Sequence, residues 1–488
     1  MYDLVVEKIN ECYLKIECEK AISQELYSYF SFRVPGFQFV PAYKNKLWDG
    51  FIRLYSIRDN TLYCGLLSYI KVFCNERNYS LKIDPKLSIT HEFSITEANQ
   101  FIEQLGVPFE KRDYQLDAFV NSIRNKKQLI LSPTASGKSF IIYLIVRKIQ
   151  ELNFKKGLLI VPTTSLCHQM FTDFESYGYD SEKYCHIIYS GKEKQSDKFF
   201  FISTWQSLYK LPPEYFEQFD FVIGDECHLF KAKSLTYIMT NLINAEYRIG
   251  CTGTLDGSHT NKLVLEGLFG NVFKSTTTKE LMDKNLLSNF TIKCLTLKHD
   301  ENVCQRLKSE KWDYQKEIEY IVLNNQRNNF IKNLVLSLKG NSLILFQFVE
   351  KHGKILYDMI NKESGTKKIF FIYGKTDVEI RESVRTIMEN EKDCIIVAST
   401  QIFSTGINIK NLHNIIFSSP SKSRIRTLQS IGRVLRKSEN KEIATLYDIS
   451  DDLRSGKHIN FTLKHFISRL KLYDEEKFNY KLYNIQLK

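Results

Sequence analysis

The sequence predicts an α/β protein: two tandem, doubly wound parallel-sheet domains preceded by a small α+β domain. Three observations carry that expectation. From about residue 96 to residue 455, apolar runs of strand length alternate with longer segments of helical period, as parallel sheets with crossover helices require. The run Gln128 to Leu131 opens LSPTASGKSF (131–140), where a buried strand should turn into a helix through a phosphate-binding loop. The alternation then restarts near residue 288 without a second such loop, which marks a second domain.

Length and composition bound the possibilities. The 488 residues suit about three domains, and 43% hydrophobic with 25% charged residues is the balance of a soluble globular chain. A net charge of +12 leans toward a polyanionic partner. No apolar run approaches a membrane span, and MYDLVVEKIN lacks the order of a signal peptide, so a cytoplasmic location and no membrane partner are expected. The 11 cysteines lie scattered, with no zinc spacing, and read as reduced, buried small hydrophobes.

Residues 1–95 form the first unit. Val5 to Ile9, Tyr13 to Ile16 and Phe51 to Tyr55 read as strands, and Ile22 to Phe30 as a helix. Between them Arg33, Lys44, Lys46 and Arg53 are interleaved with Phe37, Phe39, Tyr43, Trp48 and Phe51. Cations neutralise phosphates and aromatic rings stack on bases, so Lys44, Lys46, Trp48 and Arg53 are candidate nucleic-acid contacts. The plainer reading is that the rings are the core of a small domain.

The first large domain spans 96–287. It opens with Arg112, Asp113, Tyr114 and Gln115 on a helix; the Gln115 amide offers the donor and acceptor that complement an adenine edge, with Arg112 and Tyr114 beside it. In the loop, Thr134, Ala135, Ser136 and Gly137 present backbone N–H groups to a triphosphate. Lys138 reaches the outer phosphates and the Ser139 hydroxyl ligates Mg²⁺. Ser132 stands where the general pattern has glycine. Strands follow at Gly157 to Val161, Phe199 to Ser203 and Phe219 to Gly224, the last ending in Asp225, Glu226, Cys227 and His228. Two carboxylates at the carboxyl end of a buried strand lie where such sheets bind ligands. Asp225 is suited to Mg²⁺ and Glu226 to activating water. Thr252 and Thr254, with His228, are candidates for coupling the nucleotide site to a neighbouring domain.

The second large domain, 288–455, shows strands at Ser342 to Phe346, Lys368 to Tyr373, Cys394 to Ala398, Asn414 to Phe417 and Ala444 to Asp448. Helices are expected at Glu350 to Ile360, Val378 to Met388 and Arg424 to Leu435. Arg433 and Arg436 sit three apart on one helix face and can both address one anion, as arginine fingers do. The tail, 456–488, places Leu463, Phe466, Ile467, Leu470 and Tyr473 at helical spacing, with Lys464, Arg469 and Lys471 off that stripe; a helix packed on the second domain is expected.

In order, RDYQ, PTASGKS, VPTTSLCHQ, STWQSL, GDECH and CTGT resemble the first motor domain of superfamily 2 helicases, the DExH group in particular. SxxxFSTGINI, with Thr405 and Gly406, and QxxGRxxR, with Gln429, Arg433 and Arg436, resemble the fifth and sixth motifs of the second. That likeness implies two RecA-like domains, ATP and Mg²⁺ as cofactors, Gln429 and both arginines in catalysis, and Gly406 at the nucleotide. Thr163, Thr204, Gln206 and Ser207, then Gly374, Lys375, Thr376 and Thr405, become candidate backbone contacts, which grip without reading sequence. The N-terminal FxxxGFQFxPxYxxxLWDGxIRLY and the C-terminal RLKLYDEEKFNY resemble the UvsW helicase family of T-even and related phages. This implies remodelling of branched DNA (fork regression, junction migration and R-loop unwinding) in recombination, repair and replication. A monomer is expected, in the host cytoplasm if the chain is phage-encoded, with recombination proteins as candidate partners.

Residue patterns alone reach only an ATP-driven nucleic-acid motor. An RNA helicase stays open, because the sequence does not say whether a 2′-OH is read. A nucleic-acid binding or annealing protein regulated by ATP is disfavoured by competent residues at every catalytic position. A restriction-enzyme motor would need a nuclease, for which Asp84-Pro85-Lys86 is a poor candidate.

Overall fold

The computed structural model describes residues 2–87, 90–189, 191, 193–229, 233–255, 259–401, 409, 411–420, 423, 427, 430–432, 435 and 443–487. The chain divides into two compact units, 1–276 and 277–488.

The first unit begins with a mixed four-stranded sheet. Its strands are β1 (Leu4–Lys8), β2 (Tyr13–Cys18), β5 (Thr61–Tyr63) and β6 (Leu81–Ile83), in the order β5-β2-β1-β6, with β1 and β6 parallel and the other pairs antiparallel. Alternation sets its inner face: Leu4, Val6, Leu14 and Ile16 are fully buried against the helices Lys20–Tyr29 and Leu67–Arg77. A separate antiparallel pair, β3 (Ser31–Arg33) and β4 (Phe51–Arg53), carries the basic and aromatic segment between its strands.

Then come seven parallel strands: β7 (Lys127–Leu131), β8 (Gly157–Val161), β9 (Cys185–Ile188), β10 (Phe200–Thr204), β11 (Phe221–Gly224), β12 (Tyr247–Thr252) and β13 (Val272–Lys274). Their order is β13-β7-β12-β11-β8-β10-β9. A sheet covered on both faces reads as continuous apolar runs, and β8, β10, β11 and β12 are buried at every position. One apolar core joins the N-terminal domain to this sheet, running from Leu4 and Phe73 to Leu129, Leu265 and Phe269. Gly65 shows how close the joint is, since a Cβ there would stand 1.9 Å from the Glu266 carbonyl oxygen.

The second unit is another seven-stranded parallel sheet. It comprises β14 (Asn289–Lys298), β15 (Ser342–Phe346), β16 (Ile369–Ile372), β17 (Ile395–Ser399), β18 (Asn414–Phe417), β19 (Ile443–Asp452) and β20 (Tyr480–Gln486) in the order β16-β17-β15-β18-β19-β14-β20. The expected helix from Glu350 opens as a π-turn over Val349–Gly353 and continues as Lys354–Lys362.

The tail differs from its sequence reading. Its helix, Phe461–Glu475, is followed by β20, which pairs with β14 at the sheet edge. Because β20 is largely exposed, it has no apolar alternation by which to be recognised. Within the helix, Ile467 is 40% exposed while Arg469 is buried. The Arg469 Nε and Nη2 groups donate to the Asp448 carboxylate at 2.9 and 2.7 Å, and the Tyr473 hydroxyl joins them at 2.8 Å. A partner on β19 therefore draws a cation inward where periodicity alone placed it outside.

Candidate active site and nucleic-acid interface

The phosphate loop hangs from the end of β7. The Ser132 N–H donates to the Thr252 carbonyl on the neighbouring strand (2.9 Å), and the buried Ser132 and Ser136 hydroxyls bond at 2.7 Å. That bond accommodates a serine at the glycine position, because its side chain closes the loop from inside. Ala135 (φ 68°) and Gly137 (φ 82°) turn the backbone left-handed before the helix Lys138–Glu151. At Gly137 a Cβ would also meet the Gln115 amide nitrogen at 2.4 Å, so glycine is required twice over. Successive N–H groups at a helix N-terminus, with Lys138 as its first residue, make an anion cradle.

β11 delivers the carboxylates to the same sheet edge. Asp225 is buried, and its carboxyl is pushed up by burial and then by the charge of Glu226. A cation would restore its ionised form. Glu226 adopts φ 49°, uncommon for a residue with a Cβ, and this swings its carboxylate toward the loop: Oε1 lies 3.9 Å from Lys138 Nζ. Its Oε2 is buried with no hydrogen bond among the described residues, 3.4 Å from His228 Nδ1. The same imidazole nitrogen lies 3.0 Å from Thr252 Oγ1, which donates to the Thr254 carbonyl at 2.8 Å. The structure therefore gathers Lys138, Asp225, Glu226, His228, Thr252 and Thr254 into one cluster. An orphaned carboxylate oxygen, a carboxyl raised by burial and by its neighbour, and the Ser139 hydroxyl at the helix N-terminus suit a divalent cation bridged to phosphate.

Gln115 is 5% exposed and already engaged. Its Nε2 donates to the Ser136 carbonyl (2.9 Å) and its Oε1 accepts from the Arg112 N–H (3.0 Å). The Tyr114 hydroxyl donates to the same carbonyl (2.8 Å) and accepts from Arg112 Nη1 (2.8 Å). These three residues brace the loop, and among the described residues one amide N–H of Gln115 is left over. Sequence reading missed Tyr177, whose hydroxyl bonds Ser139 Oγ at 2.9 Å, and Phe109, packed on its ring at 5.4 Å. Nothing in the chain's local pattern links Tyr177 to a serine 38 residues earlier. Arg433, Arg436, Gln429, Thr405 and Gly406 lie outside the described residues.

Of the proposed nucleic-acid contacts, Thr163 caps the helix Thr164–Ser176 through its hydroxyl, Thr204 bonds Ser207 (3.0 Å) and Gln206 is exposed. Gly374 and Lys375 are exposed in a turn closed by Thr376, whose hydroxyl accepts from the Tyr373 N–H at 3.0 Å. On the β3–β4 extension Lys44 and Lys46 are exposed, as are Phe39 (73%) and Leu47 (81%). Phe37, Tyr43, Trp48 and Phe51 are half-buried, so none of the five rings belongs to the buried core of the small domain. Arg33 stacks on Phe37 at 4.5 Å, and the Trp48 indole N–H donates to the Phe51 carbonyl at 2.8 Å. Arg53 is paired with Asp49, so it brings less net charge to this surface than its sequence position suggested.

A phosphate loop and a carboxylate pair at the carboxyl edge of one parallel sheet, followed by a second such sheet, define a nucleoside-triphosphatase motor of the helicase type. Three family profiles match in order: "DNA helicase UvsW, N-terminal" over 3–84, "Type III restriction enzyme, res subunit" over 108–257 and "Helicase conserved C-terminal domain" over 326–438. The chain is 35% identical to the ATP-dependent DNA helicase uvsW of Enterobacteria phage T4, over 99% of this chain and 100% of that one. The crystal structure of T4 UvsW superposes with a TM-score of 0.53 at 34% identity, covering 100% of both chains. A DNA 3'-5' translocase XPB2 of Sulfurisphaera tokodaii is 24% identical over 68% of this chain and 80% of its own. The chain belongs to the UvsW family of DNA helicases.

Proposed function

We propose that this protein hydrolyses ATP to drive the remodelling of branched DNA: fork regression, junction migration and R-loop unwinding. The observation that carries the reading is the convergence of Lys138, Glu226 and His228 on the mouth of the phosphate loop, in a chain alignable end to end with a DNA helicase. Lys138 and the N–H groups of 135–139 bind the phosphates, and Arg112, Tyr114 and Gln115 hold that loop in shape. Ser139 and Asp225 would hold Mg²⁺, which when bound neutralises phosphate charge. Glu226 orients the attacking water and accepts its proton. Arg433, Arg436 and Gln429 act on the transferring phosphoryl group. His228, in contact with both Glu226 and Thr252, ties the state of the nucleotide site to the 252–254 segment.

Thr163, Thr204, Gln206 and Ser207, with Gly374 to Thr376 and Thr405, grip one strand by its backbone, and Lys44 and Lys46 hold a second arm of the branch. The test is ATP turnover of the full chain with single-stranded, duplex, forked and four-way DNA and with RNA. Forked and four-way DNA should stimulate most. Stimulation by RNA alone would replace this reading with an RNA helicase.

A further inference from the structure

In the first unit, a cleft of about 840 Å³ lies where the N-terminal domain meets the first motor sheet. One wall is Tyr13 on β2 and Tyr63 on β5, with rings 5.4 Å apart. The other is Trp205 and Tyr209, one helical turn apart just after β10, together with Tyr237 on the helix Lys233–Asn241. Tyr209 and Tyr237 are 39% and 36% exposed, so these faces are not spent on the core. Lys233 lines the cleft, Lys210 stands 5.9 Å from the Tyr209 ring, and no carboxylate is among the described lining residues. Ser234 and Thr236 add hydroxyls that can donate or accept, and the Thr240 hydroxyl, which donates to the Tyr237 carbonyl at 3.1 Å, can accept.

We propose that this cleft is a nucleobase-stacking site that takes an unpaired DNA base. Flat rings with a cation and no anion match a ligand that is aromatic and carries phosphate, the combination by which single strands are held. Its position matches too. Trp205 directly follows Thr204, and a strand whose phosphates track Thr204, Gln206 and Ser207 presents its next base toward Trp205 and Tyr209, four residues apart on one face. Because the opposite wall comes from the N-terminal domain, that domain contributes to holding the strand as well as to the branch. The inference rests on the DNA-motor reading above.

The test uses the full chain and two labelled strands of equal length, oligodeoxyadenylate and one with abasic sites throughout. Tyr209→Ala should weaken binding of the base-bearing strand about tenfold, as removal of one stacking platform does. The abasic strand should bind Tyr209→Ala and the unmutated chain alike, the salt dependence should not change, and Tyr209→Phe should restore affinity. Equal weakening on both strands, or none on either, overturns the proposal. A second measurement needs no substitution: 2-aminopurine in the strand should be quenched on binding the unmutated chain, and unquenched probe at every position would also overturn it. If DNA raises ATP turnover while Tyr209 is silent, the cleft alone is wrong; if no DNA binds or raises turnover, the motor reading itself fails.

Discussion

At the residue scale, the site depends on side chains whose surroundings differ sharply. Lys138 stands at the head of its helix, 12% exposed, and among the described residues bonds only the Ser132 carbonyl at 3.4 Å besides its approach to Glu226. Lys138→Ala should therefore abolish ATP turnover while leaving melting and DNA affinity nearly as they were. Substantial turnover in the variant would refute the phosphate-loop assignment. In the second unit, His352 is buried with its Nδ1 2.9 Å from Ser419 Oγ, and burial, then the charge of Arg327, pushes its pKa down to about 3. The unfolded chain takes up that proton near pH 6.5 and the folded chain does not, so the stability is complete above 6.5 and falls as pH drops from there toward 3. Between about pH 6.5 and 5.5 the wild type should lose on the order of 1 kcal/mol more than His352→Gln in urea unfolding. Parallel losses would show that His352 titrates normally.

At the scale of elements, the C-terminal helix is held by two buried charge contacts as well as by its apolar face. Glu317, fully buried, accepts from the Phe461 and Thr462 N–H groups (2.9 and 2.7 Å), placing a carboxylate on the positive end of the helix. The Arg469–Asp448 pair ties the middle of the helix to β19. Removing one member of such a pair strands the other, so Arg469→Ala should destabilise the second unit by about 3–5 kcal/mol. Ile467→Ala, at an exposed position, should stay within roughly 0.5 kcal/mol. Chemical denaturation of both variants decides the matter; the opposite ranking would restore the simple apolar-stripe picture of the tail.

At the scale of the molecule, the N-terminal domain is structurally continuous with the first motor domain. The Glu11 N–H bonds the Ile243 carbonyl (3.0 Å), Glu11 Oε2 holds Lys127 at the start of β7 (2.6 Å), and the Tyr69 hydroxyl meets Glu266 (2.6 Å). Removing residues 1–95 would uncover Leu265, Leu268 and Phe269 and loosen the strand that carries the phosphate loop. The truncated chain should aggregate or melt well below the intact one. The double variant Lys44→Ala, Lys46→Ala should melt normally and flatten the slope of log affinity against log salt by about one unit for each phosphate that is no longer neutralised. A truncated chain as stable as the whole would show that the shared core contributes little.

The sequence by itself determined what local rules can reach. Apolar runs located Gly157–Val161, Ser342–Phe346 and Asn414–Phe417 to the residue, because strands buried on both faces need no partner to be recognised. The spacing of PTASGKS and the position of Asp225 and Glu226 at a strand end likewise pointed to one chemistry, because loops at the carboxyl ends of parallel strands open on the same edge, where such sheets bind ligands. Only the tertiary structure decided contacts between distant segments: Ser139 with Tyr177, Arg469 turned inward to Asp448, Gln115 bonded to the Ser136 carbonyl, and β20 added at a sheet edge. It also decided that Tyr13 and Tyr63 face Trp205 and Tyr209 across a cleft. Periodicity reports which face of an element is apolar. Which groups meet there depends on how separate elements pack, a property of the whole chain.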